Sequence, residues 1–210
     1  ADRIDDLLNK SIPYAFSSEF GYLTSCITNT GTGLRVSALL HLPILSRKSF
    51  LEDFSQNIKK RGSEIKSTIP NSNKSIGSLF QLANRVSIGL SEVDIIEMID
   101  GYISELIEME DYERDCAFAD AKTEMEDRIW RSYGQLQYSC KITYIEALEH
   151  LSNIRLGVIL AVIKNIDLSD INDMMVNIQW AHLQRRFERI FITTAECDEY
   201  RSEFLRAVIH

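Results

Sequence analysis

Residues 21–35 read GYLTSCITNTGTGLR, and this stretch decides how the first half of the chain folds. A run of strand-forming residues, YLTSCIT, precedes the glycine-rich turn NTGTG, and a second run, LRVSALLHL, follows it. β-Branched and aromatic residues favour strands, whereas Gly and Asn favour turns. The stretch therefore predicts two strands joined by a turn, with Cys26 in the first strand and Arg35 at the start of the second.

The turn has the composition of an anion-binding loop but matches no nucleotide-binding motif. It lacks GK[ST], and Val36 stands where a GxGxxG motif needs its last glycine. Gly31 and Gly33 would let backbone N–H groups approach a phosphate, and Arg35 could bind that phosphate with two hydrogen bonds. A tight turn with an exposed arginine fits the same residues. Cys26 likewise fits either a buried core position or a reactive thiol near positive charge.

Composition excludes several classes of protein. The 210 residues are 45% hydrophobic and 26% charged with a net charge of -8, which is typical of a soluble globular protein. This acidic balance argues against a broad surface for nucleic acid or anionic membrane. We expect no signal peptide and no membrane span, because no apolar run is long enough. The cysteines and histidines lack metal-ligand spacing, so we expect free thiols in a reducing cytoplasm and no structural metal.

The two halves of the chain differ in texture. All three prolines and most glycines lie before residue 91, where short apolar runs alternate with turns. Apolar residues recur at helical spacing from residue 91 onward, and Ser91–Asp94 and Thr143–Glu146 have the pattern of capping boxes. The predicted helices are 2–10, 49–60, 91–121, 123–138, 144–163, 169–190 and 194–208, the predicted strands are 22–28, 34–42 and 79–89, and residues 67–78 are a predicted loop.

Three separated segments together resemble one family. GYLTSCITNTGTGLRVSALLHLP resembles the cysteine signature of the ATP:guanido phosphotransferases, roughly C-P-[ST]-N-x-G-T-G-x-R before a strand ending in L-P, with Ile27 in place of the proline. GSLFQLANRVSIGLSE resembles the strand that precedes the family's long helix. Residues 126–163 resemble the helical C-terminal domain of bacterial protein arginine kinases. The resemblance implies an α+β fold, with an antiparallel sheet and flanking helices over 1–118 and an all-helical domain over 119–210.

The resemblance also implies a reaction, in which ATP phosphorylates the guanidinium group of arginine side chains in proteins. A thiolate at Cys26 would hold the guanidinium, Arg35 would bind ATP phosphate, and Mg²⁺ would bridge the phosphates. The residues that would line the nucleotide site are Val36, Ser37, Ala38 and Leu39.

The phosphate loop of the family, R-G-x-x-G-E, is altered in this chain. Lys66 takes the place of its arginine, which keeps the charge but loses the bidentate fork. Pro70 removes a backbone donor, and Asn71 replaces the carboxylate. The family's S-x-R-x-R and E-D-H-L-R segments are not in this sequence, so no general base is assigned. We therefore expect the chain alone to be weak or inactive as a kinase.

The C-terminal run SEFLRA resembles an R-D-x-x-R-A motif that binds phosphoarginine in the protein arginine kinases. Glu203 and Arg206 retain its acidic position and its second arginine, although an amphipathic terminal helix fits equally. The resemblance implies a homodimer through the helical domain, arginine-bearing protein substrates, and the Clp protease and chaperone system as partners. A non-catalytic dimerisation and protein-binding module descended from such a kinase, a pseudokinase, is the alternative.

Overall fold

The computed structural model describes residues 2–69 and 75–209. Pro70 and Asn71, which carry the predicted changes in the phosphate loop, lie outside the described residues. The helices are α1 (Asp2–Asn9), α2 (Phe50–Lys60), α3 (Glu92–Asp120), α4 (Lys122–Tyr138), α5 (Tyr144–Ile159), α6 (Leu168–Asn177), α7 (Trp180–Arg186) and α8 (Thr194–Val208). The strands are β1 (Phe16–Ser17), β2 (Gly21–Tyr22), β3 (Ser37–His41), β4 (Ser63–Ser67) and β5 (Leu79–Asn84). These elements confirm the predicted α+β class.

The chain divides into two compact units. The sheet unit comprises Ala1–Leu40, Ser49–Lys66 and Phe80–Met109, and the helical unit comprises His41–Lys48, Ser67–Leu79 and Glu110–His210. The predicted division into domains 1–118 and 119–210 stays a prediction.

The main sheet has the strand order β3-β5-β4. Asn84 donates its backbone N–H to Val36 O, which pairs the end of β5 with the start of β3. Arg85 donates its backbone N–H to Gly62 O, which pairs the end of β5 with the start of β4. Because opposite ends pair, both neighbours run antiparallel to β5. The chain segments that carry Arg35, Glu64 and Arg85 therefore meet at one end of the sheet.

Helices α2 and α3 contribute most of the apolar core of the sheet unit. The α2 side chains at helical spacing, Leu51, Phe54 and Ile58, are all buried. Phe54 packs edge-on against Tyr102 of α3, with ring centroids 6.0 Å apart. The other large buried side chains in this unit are Ile65, Leu82, Ile95, Ile99 and Leu106. Both helices are confirmed, and Ser91 and Asp94 exchange the hydrogen bonds of the predicted capping box.

The strand predicted over residues 22–28 is wrong. Tyr22 pairs with Gly31 through two backbone hydrogen bonds of 2.7 and 3.1 Å, and the residues between them form a closed loop, here called the cysteine loop (residues 23–30). Cys26 is exposed and precedes a 3₁₀ turn over Ile27–Asn29. The Gly31 N–H is bonded to Tyr22 O and is therefore unavailable to a phosphate, contrary to expectation. The backbone pair between Tyr22 and Gly31 closes the loop and outweighs the strand propensity of the residues after Tyr22.

The other strand predictions need smaller corrections. Strand β3 begins at Ser37 rather than at Leu34, and β5 ends at Asn84, before residues 85–89. Strand β4 lies in a segment for which the sequence predicted no strand. Ile65 is the single apolar residue of SEIKS, so the repeated alternation of apolar and polar residues expected of a strand was not apparent.

Most of the buried apolar side chains of the helical unit form one large cluster. Helix α4 packs on α5 and α8, and α5 also packs on α6. The packing of α5 on α4 requires glycine at position 157, because a Cβ there would lie 2.5 Å from Ile129 Cγ2. The fully buried residues of this core include Leu136, Ile142, Leu151, Ile154, Ile171, Leu183 and Leu205.

Two helix boundaries differ from the sequence prediction. Helix α5 ends at Ile159 rather than at residue 163, because the Val162 and Ile163 N–H groups both bond to Gly157 O and Ala161 has a positive φ. The helix predicted over 169–190 is two helices, α6 and α7, separated at Ile178 and Gln179, and α7 ends at Arg186 rather than at residue 190. The periodicity of the sequence does not reveal these breaks, because apolar residues continue at helical spacing through both of them.

Gly31 gives a direct test of how the cysteine loop is closed. A Cβ at Gly31 would lie 2.6 Å from Ser87 O, and its φ of 118° disfavours any side chain. We expect Gly31→Ala to lower the free energy of unfolding by about 3 kcal/mol in urea denaturation.

Gly89→Ala is the matched control, because Gly89 has a φ of 77° and a Cβ added there would have nothing within 4 Å. It should cost only about 1 kcal/mol, the conformational cost alone. Equal losses for the two variants would contradict the packing of Gly31 on Ser87.

Candidate phosphotransfer site

The cysteine loop presents the Cys26 thiol to solvent. Cys26 Sγ lies 2.9 Å from Thr28 Oγ1, and the Thr24 hydroxyl donates to Cys26 O at 2.6 Å. Hydrogen bonds from the Thr28 side chain and backbone, together with the charge of Arg35, lower the pKa of the Cys26 thiol below its usual range. The thiolate is the nucleophilic and cation-binding form of cysteine. The residues at Cys26 thus favour a reactive thiol over a buried core position.

Asn84 fixes the segment that carries Arg35. Its buried carboxamide donates to Leu34 O at 3.0 Å and accepts from the Val36 N–H at 2.8 Å. Ser87, also buried, donates its hydroxyl to Thr30 O at 3.1 Å. Two polar side chains from β5 and the segment after it therefore hold both the end of the cysteine loop and the backbone on either side of Arg35.

Three cations surround the carboxylate of Glu64. Lys66 Nζ lies 2.7 Å, Arg35 Nη2 3.4 Å and Arg85 Nε 3.5 Å from its oxygens. The Glu64 side chain is 11% exposed, whereas those of Arg35, Arg85 and Lys66 are 50%, 50% and 66% exposed. Burial alone would raise the pKa of Glu64, but the Lys66 hydrogen bond and the three positive charges together lower it. The cluster therefore carries three positive charges that face solvent and one negative charge beneath them.

The structure brings two of the predicted nucleotide-binding residues together. Arg35 and Lys66 both pair with Glu64, and their nucleotide-binding role stays a prediction. Ser37 and Leu39 are exposed on β3, and Val36 and Ala38 are half-buried. Glu64 and Arg85 were missed, because their proximity depends on strand register rather than on any local motif.

An open cavity lies at the base of the cysteine loop. Its volume is about 270 Å³, and it lies against Gly21, Gly31 and Ser87. The aromatic side chains Phe16, Phe20 and Tyr22 line it together with the carboxylates Glu19 and Glu92. Sequence reasoning did not single out Glu19. The signal that could have found it is a lone carboxylate seven positions before Cys26 in the same segment.

The C-terminal candidate residues lie on α8. Arg206 donates to Ser139 O at the end of α4, and Glu203 is exposed. The buried arginine of this helix is Arg201, which donates to Ile178 O and Ile142 O, both at 2.9 Å, and pairs with Asp198. Arg201 thus holds the helical unit together, whereas phosphoarginine binding at Glu203 and Arg206 stays a prediction.

Residues 2–69 and 75–209 contain neither a metal centre nor a membrane-spanning helix. No group of three His, Cys, Asp or Glu side chains there is arranged to hold a metal ion. No helix among the same residues has the length and apolar character needed to cross a bilayer. The four cysteines, all within the described ranges, are free thiols.

The hydrogen bond from Thr28 gives a testable property of Cys26. Thr28→Val removes the hydroxyl at nearly constant volume, so the Cys26 pKa should rise and its alkylation should shift to higher pH. The measurement is the rate of iodoacetamide modification at each cysteine by peptide mass spectrometry across a pH series.

The exposed Cys140 in the same sample is the internal reference. Thr28→Ser should restore the wild-type profile, because it keeps a hydroxyl at this position. An unchanged Cys26 profile in Thr28→Val would show that the hydroxyl does not activate the thiol.

Comparison with known proteins identifies both parts of the chain. The family model described as ATP:guanido phosphotransferase, C-terminal catalytic domain, matches residues 1–113. The model described as protein-arginine kinase McsB C-terminal domain matches residues 122–210.

Curated relatives match along nearly the whole chain. A protein-arginine kinase of Brevibacillus brevis is 37% identical over 97% of this chain and 57% of its own length. The protein-arginine kinase of Bacillus subtilis is 34% identical over 100% of this chain and 58% of its own length. The chain therefore spans a little over half the length of these relatives.

A solved taurocyamine kinase from Schistosoma mansoni with bound transition-state analogue components aligns with 52% of this chain and 15% of its own. Its TM-score is 0.42 at 29% sequence identity. The match of the catalytic-domain model to more than half of the residues establishes that the chain belongs to the ATP:guanido phosphotransferase family.

Proposed function

We propose that this chain carries the thiol and phosphate-binding groups of a protein arginine kinase, which transfers the γ-phosphate of ATP to the guanidinium group of protein arginines. The single observation that carries the proposal is the geometry at Cys26. Cys26 has an exposed thiol with a lowered pKa and lies within the cysteine loop. Arg35 follows the end of that loop by five residues.

The chemistry assigned to Cys26 is electrostatic. A thiolate beside a guanidinium would hold the reacting group in place and offset its positive charge. Phosphoryl transfer depends mainly on alignment and on stabilisation of charge around the phosphates, so a fixed anion at the acceptor fits the reaction. The hydrogen bond from Thr28 supports this role because it stabilises the thiolate.

The nucleotide is assigned to the exposed cations of the sheet unit. Arg35 and Lys66 would bind the ATP phosphates, and Val36, Ser37, Ala38 and Leu39 would line the nucleotide along β3. Mg²⁺ would enter as part of the substrate, bound to the nucleotide phosphates. The half-exposed state of Arg35 supports this assignment, because its guanidinium is accessible as well as anchored.

The cavity at the base of the cysteine loop suits an arginine side chain. Phe16, Phe20 and Tyr22 offer aromatic faces to a cation, and Glu19 and Glu92 offer carboxylates to its N–H groups. This lining favours a cationic guanidinium group over neutral or anionic groups.

The wider assignments are those that the family resemblance of the sequence implies. We propose a homodimer through the helical unit, which is supported by Ile190 and Ile192, 82% and 88% exposed. The free cysteines suit a cytoplasmic setting, in which the Clp protease and chaperone system would be the partner in a bacterial stress response. Phosphoarginine would bind near Glu203 and Arg206.

One observation favours the alternative of a non-catalytic binding module. Arg35 and Lys66 both already pair with Glu64, so a phosphate must share these cations with an internal carboxylate. A protein that had lost nucleotide binding could retain such a closed cluster for stability.

The experiment that tests the proposal is phosphotransfer from γ-labelled Mg·ATP to an arginine-rich protein, scored as acid-labile label. This chain and the complete product of its gene should each be assayed with Cys26→Ala and with Cys140→Ala as the matched control. We expect Cys26→Ala to reduce the labelling rate at least about 100-fold, because it removes the charge that holds the guanidinium.

Cys140→Ala should leave labelling unchanged, since this exposed cysteine lies between α4 and α5 in the helical unit. Absence of label from every folded preparation would overturn the kinase proposal and leave the binding module. Label that survives in Cys26→Ala would show that another group holds the guanidinium.

A further inference from the structure

The three cations around Glu64 come from three separate segments of the sheet unit. Arg35 precedes β3, Lys66 lies within β4, and Arg85 follows β5. Their charges and that of Glu64 leave a net of two positive charges on one end of the sheet. Exposed ion pairs contribute little stability on their own, and each of these three cations keeps half or more of its side chain open to solvent.

We propose that Arg85 is a third phosphate-contacting cation of this site and that Glu64 is the counter-charge that sets which phosphate species the site prefers. The ligand class is the polyphosphate chain of a nucleotide, and this inference rests on the nucleotide assignment made above.

Arg85 is positioned for this role by the backbone around it. Its own N–H bonds to Gly62 O at 2.7 Å, and the preceding residue is the buried Asn84 that clamps the Arg35 segment. Its side chain remains half exposed, and its Nε lies 3.5 Å from Glu64, so the guanidinium is anchored on one side and open on the other. A guanidinium held in this way can bind a phosphate bidentately with little further loss of freedom.

Glu64 acts on a bound phosphate in two ways. It holds the three cations in place, and its own negative charge repels the phosphate. A phosphate oxygen that shares Lys66 with Glu64 would lie roughly 5 Å from the carboxylate, given two ordinary hydrogen bonds to one ammonium group. Metal-free ATP carries about two more negative charges than Mg·ATP, so this repulsion penalises the metal-free form more. Glu64 therefore favours the Mg²⁺ complex, which is the form that reacts.

The first test measures the binding of Mg·ATP, of inorganic triphosphate and of adenosine to this chain by isothermal titration calorimetry. Arg85→Gln should weaken Mg·ATP and triphosphate about tenfold and leave adenosine unaffected, because one charge-assisted contact is lost. Arg85→Lys should give an intermediate loss, since it keeps the charge without the fork. Lys59→Gln, an exposed cation on α2, is the matched control and should change nothing.

The second test compares metal-free ATP with Mg·ATP in Glu64→Gln. The ratio of the two affinities should shift about three- to tenfold toward metal-free ATP. A purely structural role of Glu64 would weaken both forms equally and leave the ratio unchanged, which would overturn the counter-charge assignment. Glu52→Gln, an exposed acid on α2, is the control for a general change in charge.

The outcomes separate this inference from the proposed function. Unaltered Mg·ATP binding in Arg85→Gln would overturn the role of Arg85 while the nucleotide site of Arg35 and Lys66 stands. Binding of triphosphate that depends on Arg85, without binding of Mg·ATP, would support the anion site and contradict the kinase. Binding of neither ligand by the wild-type chain would overturn both.

Discussion

The candidate site depends on the two hydrogen bonds that the buried carboxamide of Asn84 makes to the backbone. The carboxamide bonds to the backbone on both sides of Arg35, and Ser87, three residues later, bonds to the end of the cysteine loop. A buried amide satisfied on both its oxygen and its nitrogen resists displacement, because any shift would leave a polar group unpaired. The end of β5 and the segment after it thus fix the chain segments that carry Cys26 and Arg35, although neither residue belongs to them.

The cation cluster includes a negative charge that balances part of its positive charge. Three positive side chains at one end of a small sheet would repel one another, and Glu64 offsets that repulsion from below. The same carboxylate must share its cations when a phosphate binds, which makes it a determinant of which ligand the cluster accepts. On the role proposed for it, Glu64 both offsets the repulsion among the cations and affects which ligand they accept.

The sequence alone predicted the helices better than the loops. Local spacing of apolar residues located α2, α3, α4 and α8, and the Ser91 capping box was recognisable as a motif. The conformation of Cys26 was missed because it is decided by contacts to Ser87 and by pairing of Tyr22 with Gly31, which no local pattern contains. Glu64 and Arg85 were missed for the same reason, since antiparallel register alone brings them together. The family, by contrast, could be recognised because its cysteine signature is contiguous.

The most direct test of the phosphate site is a crystal structure of this chain with Mg·ADP. We predict ADP phosphates in contact with Arg35, Lys66 and Arg85, with the Asn84 hydrogen bonds to Leu34 and Val36 intact. Phosphates bound elsewhere, with the three cations still paired only to Glu64, would contradict this prediction.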